Sequence, residues 1–323
     1  MGFWSGVKMW VRWFCRSAMN KKKTLLLALL TMLLWGSLFP MVKLGFAAYR
    51  VEGTADILLF AGIRFVICGA VICGYAALRD KSTYKPVGGS VIPILLVGLF
   101  SIILHYGFTY AGLELTDSSK TALIKQIGAL FYVCFSFLFI KADRPTVQKI
   151  VAALIGFVGI IVLNISSEGF TFHIGDVLIL CASFCTVFSN VISKKVFEKV
   201  EPITATGISQ LFGGIVLLIV GIAMGGSIQF SLDSSLWIMG YICVASIVSY
   251  CIWFGIVKSG ELSKLFIIKF AEPVFACVFG ALILGENIWK IQYLLAFLLI
   301  SGSICLSNLT AKKRLSAHKA AAL

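Results

Sequence analysis

"SKTALIKQIGALFYVCFSFLF" (residues 119–139) and "SKLFIIKFAEPVFACVFGALI" (residues 263–283) lie over one another without a gap. At a constant shift of 144 residues, Ser119 meets Ser263, Lys120 meets Lys264, Ile124 meets Ile268 and Lys125 meets Lys269. The register holds beyond both ends. Tyr106 meets Tyr250, Phe131 meets Phe275, Phe135 meets Phe279, Gln148 meets Gln292 and Asn164 meets Asn308. Apolar coincidences are cheap in such stretches, but Lys, Gln and Asn are rare there. Their coincidence marks an internal repeat.

Both stretches belong to apolar runs of about 20 residues, the length that crosses hydrocarbon. Ten such runs are predicted, over 24–46, 55–78, 90–112, 118–140, 147–166, 174–196, 203–224, 236–258, 262–284 and 288–308. Five spans separate the two copies. An odd number makes the second copy cross in the opposite sense, so the predicted fold is all-α: ten transmembrane helices in two inverted five-helix repeats. Secondary transporters are built this way, with the substrate between the repeats. The expected division is a basic N-terminal segment (1–23), a first repeat (24–166), a second repeat (174–308) and a basic tail (309–323). Both Met1 and Met19 serve as starts in this reading, and neither is preferred.

Composition agrees. The chain is 59% hydrophobic and 13% charged over 323 residues, where a soluble protein carries about 25% charge. A net charge of +14 suggests nucleic acid, but the charges sit at the edges of apolar runs, so no nucleic-acid partner is expected. Of 28 Lys and Arg, only Arg50, Lys120 and Lys290 fall on the side opposite the N-terminus, and only Lys43, Arg64, Lys125 and Lys269 fall within spans. The positive-inside bias then places both termini in the cytoplasm, in a bacterial inner membrane. Ten cysteines include no CxxC pair, so neither a metal site nor a redox centre is expected.

The intramembrane charges carry the functional reading, because a cation in hydrocarbon costs several kcal/mol. Lys125 is about seven residues inside its span, roughly 10 Å deep at 1.5 Å per residue. Lys269 is equally deep from the opposite face, so a pseudo-two-fold axis turns both toward one hydrated path. Snorkelling to the nearest interface is the competing reading. Glu272, at i+3 from Lys269, either pairs with it structurally or meets a substrate amine or a coupling proton. Arg64 reads as a packing residue. His105 reads as a relay, a ligand contact or a satisfied polar residue. Trp35, Tyr106, Tyr110, Tyr250 and Trp253 read as an aromatic wall or as packing. The glycines of 156–159 and 302–305 suggest packing faces, with spans five and ten available for a homodimer contact.

The stretches "LLWGSLFPMVK" (33–43), "AGIRFVICGA" (61–70) and "FAEPVFACVFGALILGE" (270–286) resemble the EamA-type branch of the drug/metabolite transporter superfamily over residues 24–308. The resemblance implies movement of small metabolites driven by a proton or a counter-substrate, with no cofactor and no ATPase. A related branch that exchanges sugar phosphates for phosphate has basic residues on spans four and nine, a His on span three and a Tyr on span eight. Lys125, Lys269, His105 and Tyr250 fill those places here.

The expected function is a secondary active transporter of a small metabolite bearing an anionic group. Lys125, Lys269, Glu272, His105, Tyr250 and Tyr106 form its expected substrate site. Export of cationic or lipophilic drugs is the alternative, with Glu272 dominant. A non-transporting scaffold or sensor is the alternative from another class. An enzyme is not expected, since no nucleophile–base set is evident.

Overall fold

The computed structural model describes residues 21–79, 89–134, 138, 147–163, 165–166, 169–170, 173–229, 235–259, 265–266, 268–269 and 271–320. Most of the basic N-terminal segment, the ends of spans four and nine, and Lys264 lie outside the described residues. The helices are α1 (Lys21–Tyr49), α2 (Gly53–Arg79), α3 (Val91–Gly98), α4 (Leu104–Glu114), α5 (Ser118–Ile124), α6 (Gln126–Cys134), α7 (Val147–Leu163), α8 (Ile174–Val196), α9 (Pro202–Ala223), α10 (Ser235–Ser259), α11 (Ala271–Leu284) and α12 (Ile291–Ala320). A π-helical turn, Leu99–Ile103, joins α3 to α4. Among the described residues, helices fall within each of the ten expected spans, and six of them are long and apolar enough to cross a membrane.

Several boundaries differ from expectation. Span five ends at Leu163, and Ile165–Ser166 (β1) pairs antiparallel with Gly169–Phe170 (β2) in a short hairpin. Span ten does not stop before the tail: α12 runs on to Ala320. Span four lapses at Lys125, whose φ −59° and ψ −21° are those of a 3₁₀ turn. Its amide still donates to Thr121 O at 3.1 Å, so the helix tightens there without breaking apart.

The burial pattern is the reverse of a water-soluble protein's. Leu154, Phe157, Ile219, Leu282 and Leu298 are exposed, while Arg64, Gln126, Asp176 and Gln210 are buried. Such a surface is matched to lipid.

The inverted symmetry shows in the contacts. The hydroxyl of Tyr250 donates to that of Tyr106 at 3.1 Å, so residues holding equivalent places in the two halves touch. The second spans, α2 and α9, pack antiparallel through close glycines. A Cβ on Gly62 would lie 2.5 Å from Leu218 N, and one on Gly69 would lie 2.3 Å from Leu211 N. In return, Gly207 meets Cys73 and Gly214 meets Val66. Small residues let backbones approach where no hydrophobic force draws helices together. Spans five and ten also meet inside one chain: Gly156 faces Ser303 and Gly159 faces Ile300. The glycines of α7 expected to suit a homodimer contact are thus used within the monomer. The first helix of each half leans on the other half, α1 against α10 and α11, and α8 against α4 and α6.

Candidate functional site

Helix α1 lines the centre with Trp35, Leu38, Phe39 and Val42, and its Gly36 lets α11 come close. A Cβ there would lie 2.9 Å from Glu272 O. The π-helical turn precedes α4, which carries His105, Tyr106 and Thr109. Ser101, His105 and Thr109 recur every four residues and share one helix face. The first helix of the second half, α8, contributes Thr186 and Asn190, and α10 contributes Tyr250 and Trp253. All of these line one cavity between the halves, together with Arg64, Lys125, Lys269 and Glu272. Its free space is about 60 Å³, room for a few waters.

Every residue singled out as a site candidate lines this cavity, but the pairing differs from expectation. Glu272 does not pair with its near neighbour Lys269. Its Oε1 lies 3.9 Å from Lys125 Nζ, across the two halves. Lys125 also approaches His105 Nε2 at 3.5 Å and lies 4.9 Å from the centre of the Phe39 ring. His105 Nδ1 lies 2.9 Å from Ala182 O and 3.0 Å from Thr186 Oγ1. A carbonyl can only accept, so Nδ1 carries the proton and the Nε2 lone pair faces Lys125. Lys269 instead sits among rings: its Nζ is 5.5 Å from the centre of Trp35, 5.7 Å from Trp253 and 5.8 Å from Phe266. Cation–π attraction offsets part of the desolvation there.

Arg64, read as packing, is wholly buried in the cavity wall. Its Nε and Nη2 donate to Ser246 Oγ at 3.0 and 2.6 Å, and Nη1 donates to the Tyr110 hydroxyl. Its guanidinium lies 4.7 Å from the centre of Phe65 and 5.0 Å from Tyr106. Trp253 Nε1 donates to Asn190 Oδ1 at 2.8 Å. Among the described residues, three cations and one carboxylate therefore share the cavity. Sequence reasoning passed over Ser101, Thr109, Thr186 and Asn190. The four-residue recurrence of Ser101, His105 and Thr109 was the available signal. Among the described residues, Ser101 Oγ, Thr109 Oγ1 and Trp35 Nε1 have no hydrogen-bond partner.

At the end where α5 begins, loops from both halves are tied together. The Ser118 and Ser119 amides donate to Glu286 at 2.9 and 3.0 Å, and Ser119 Oγ donates at 2.6 Å. Burial pushes the Glu286 carboxyl up, but these bonds outweigh it and hold the group below its ordinary value. Lys120, placed by the sequence on the side opposite the N-terminus, pairs with Asp176 at 3.0 Å, and the same carboxylate oxygen caps α8 through the His173 amide. The Tyr293 hydroxyl donates to Asp117 at 3.2 Å.

Comparison with known proteins agrees with this architecture. The EamA-like transporter family model matches residues 22–165 and again 173–308. An uncharacterized transporter of Bacillus subtilis, YvbV, is 30% identical over 94% of this chain and 96% of its own. The S-adenosylmethionine/S-adenosylhomocysteine transporter of Chlamydia muridarum is 22% identical over 81% of this chain and 84% of its own. A solved crystal structure superposes with a TM-score of 0.66 at 18% identity, covering 91% of this chain and 99% of that one. The chain belongs to the EamA-like transporter family.

Proposed function

We propose that this EamA-like transporter moves a small metabolite with an anionic group (an amino acid, an organic acid or an organophosphate) by alternating access between its two inverted halves. The observation that carries the reading is the charge imbalance of the central cavity: Arg64, Lys125 and Lys269 face the single carboxylate of Glu272. Cations kept inside a membrane protein are costly unless they meet an anion. In this reading Lys125 and Lys269 bind the anionic group. Glu272 meets an amine or a coupling proton, and His105, Tyr106 and Tyr250 supply hydrogen bonds. A counter-substrate in place of the proton fits the same site. The Chlamydia relative's named substrate, S-adenosylmethionine, carries an amino-acid head group of this kind.

The rings of Trp35, Trp253 and Phe266 around Lys269 favour a second reading, export of a cationic or lipophilic drug that displaces the ammonium. Counterflow in proteoliposomes separates the two. Under the first, Lys125→Ala and Lys269→Ala each lower counterflow of an anionic metabolite while the protein stays abundant in the membrane. Under the second, Glu272→Gln abolishes counterflow of a cationic drug and the lysine variants do not. Unchanged anion counterflow in both lysine variants rejects the first reading. We place the chain in a bacterial cytoplasmic membrane with both termini inside, which reporter fusions at Arg50 and Lys199 test.

A further inference from the structure

A second cavity opens on the lipid-facing side, between α11 and α12. Its free space is about 500 Å³, far larger than the central one. The walls are apolar: Val274 and Val278 from α11, Leu294 and Phe297 from α12, with Leu123 of α5 also lining it. One end reaches the loop between Leu284 and Ile291. There Trp289 is 92% exposed, as a side chain at the headgroup level would be. Lys290 lines the same end.

The charge at that end is one-sided. Glu286, on the same loop, is turned inward onto the amides of α5. Asp117 is taken up by the Tyr293 hydroxyl. Lys290 has no ion pair among the described residues, and its ammonium lies 5.8 Å from the centre of the Tyr293 ring. A cation therefore stands at the water-facing end of an apolar trough whose length runs into the membrane. A phospholipid with an anionic headgroup has the complementary layout.

We propose that this trough holds one anionic phospholipid, with its headgroup on Lys290 and an acyl chain between α11 and α12. A neutral phospholipid fills the apolar part equally well but leaves Lys290 without a partner, so charge decides the preference. The inference does not rest on the transported substrate.

Native mass spectrometry of the full chain in detergent tests it, with palmitoyl-oleoyl phosphatidylglycerol or phosphatidylcholine added in equal amounts. The phosphatidylglycerol adduct is expected to dominate. Lys290→Ala should cut its retention about fivefold, toward that of phosphatidylcholine, as expected for one lysine beside an anionic headgroup. Val278→Trp, which fills the trough from an exposed position, should lower retention of both lipids. Arg50→Ala, which removes a different exposed basic residue, should change neither. Equal retention of the two lipids by the unsubstituted protein overturns the proposal. So does a phosphatidylglycerol preference that survives Lys290→Ala, or retention that survives Val278→Trp.

Discussion

Lys125 and Lys269 hold the same place in two copies of one fold, yet their surroundings differ. Lys125 has a carboxylate and a histidine beside it. Lys269 has three aromatic rings and, among the described residues, no carboxylate within ion-pair reach. The difference traces to one exchange of glycines. Where α6 crosses α8, the glycine is on α6: a Cβ on Gly128 would lie 2.4 Å from Ser183 O. Where α11 crosses α1, the glycine is on α1, as Gly36, and the position equivalent to Gly128 is free to carry Glu272. Duplication made two equivalent places, and helix spacing decided which one could accept an acid.

The strongest way to break this comparison is to make the halves alike. Gly128→Glu should prevent folding, since overpacking against a backbone carbonyl costs more than about 3 kcal/mol. Size-exclusion of the detergent extract should show no monodisperse peak. A well-folded Gly128→Glu protein would remove the steric account of the asymmetry.

The two lysines can then be set against each other. Lys125→Ala strands the Glu272 carboxylate beside a cavity with room for a few waters, so it costs less than the roughly 3–5 kcal/mol of a dry buried pair. Lys269→Ala strands no charge. Thermal unfolding should therefore show a larger drop for Lys125→Ala, partly restored by adding Glu272→Gln. Equal drops would mean that the pairing across the halves carries little energy.

A smaller effect is expected at the tied loops. Glu286→Gln should cost about 1 kcal/mol at neutral pH, the range for hydrogen bonds to a half-exposed charge. The Glu286 carboxyl is held below its ordinary value, so its contribution is present above that value and lost as pH falls through the lowered one. Melting curves of variant and parent should converge on acidification.

The least change is expected at Ser101 and Thr109, whose hydroxyls have no bond to lose. Ser101→Ala and Thr109→Val should leave the unfolding midpoint within the scatter. Ser246→Ala, which removes an acceptor from Arg64, should lower it.

The repeat was legible because rare polar residues coincide: Lys125 with Lys269, Gln148 with Gln292. The cluster of candidate residues followed from it. Their pairing did not. An i,i+3 spacing pointed Glu272 at Lys269, whereas the nearer cation comes from 147 positions away, a contact that no local spacing encodes. Ser101 and Thr109 escaped notice because hydroxyls on apolar helices commonly bond their own backbone, as Thr31 and Ser303 do here. The pairing of Lys120 with Asp176 was not legible either, because Asp176 looks like an ordinary helix-start acid.

The hydroxyl contact of Tyr106 with Tyr250 has a geometric consequence. It joins a position to its own image, so exchanging the conformations of the two halves maps the contact onto itself. Ties such as Glu286 to α5 have no such property, so the alternating access proposed above would release them in the mirrored state. Under that proposal the paired tyrosines stay joined throughout, as the fulcrum about which a seesaw tips.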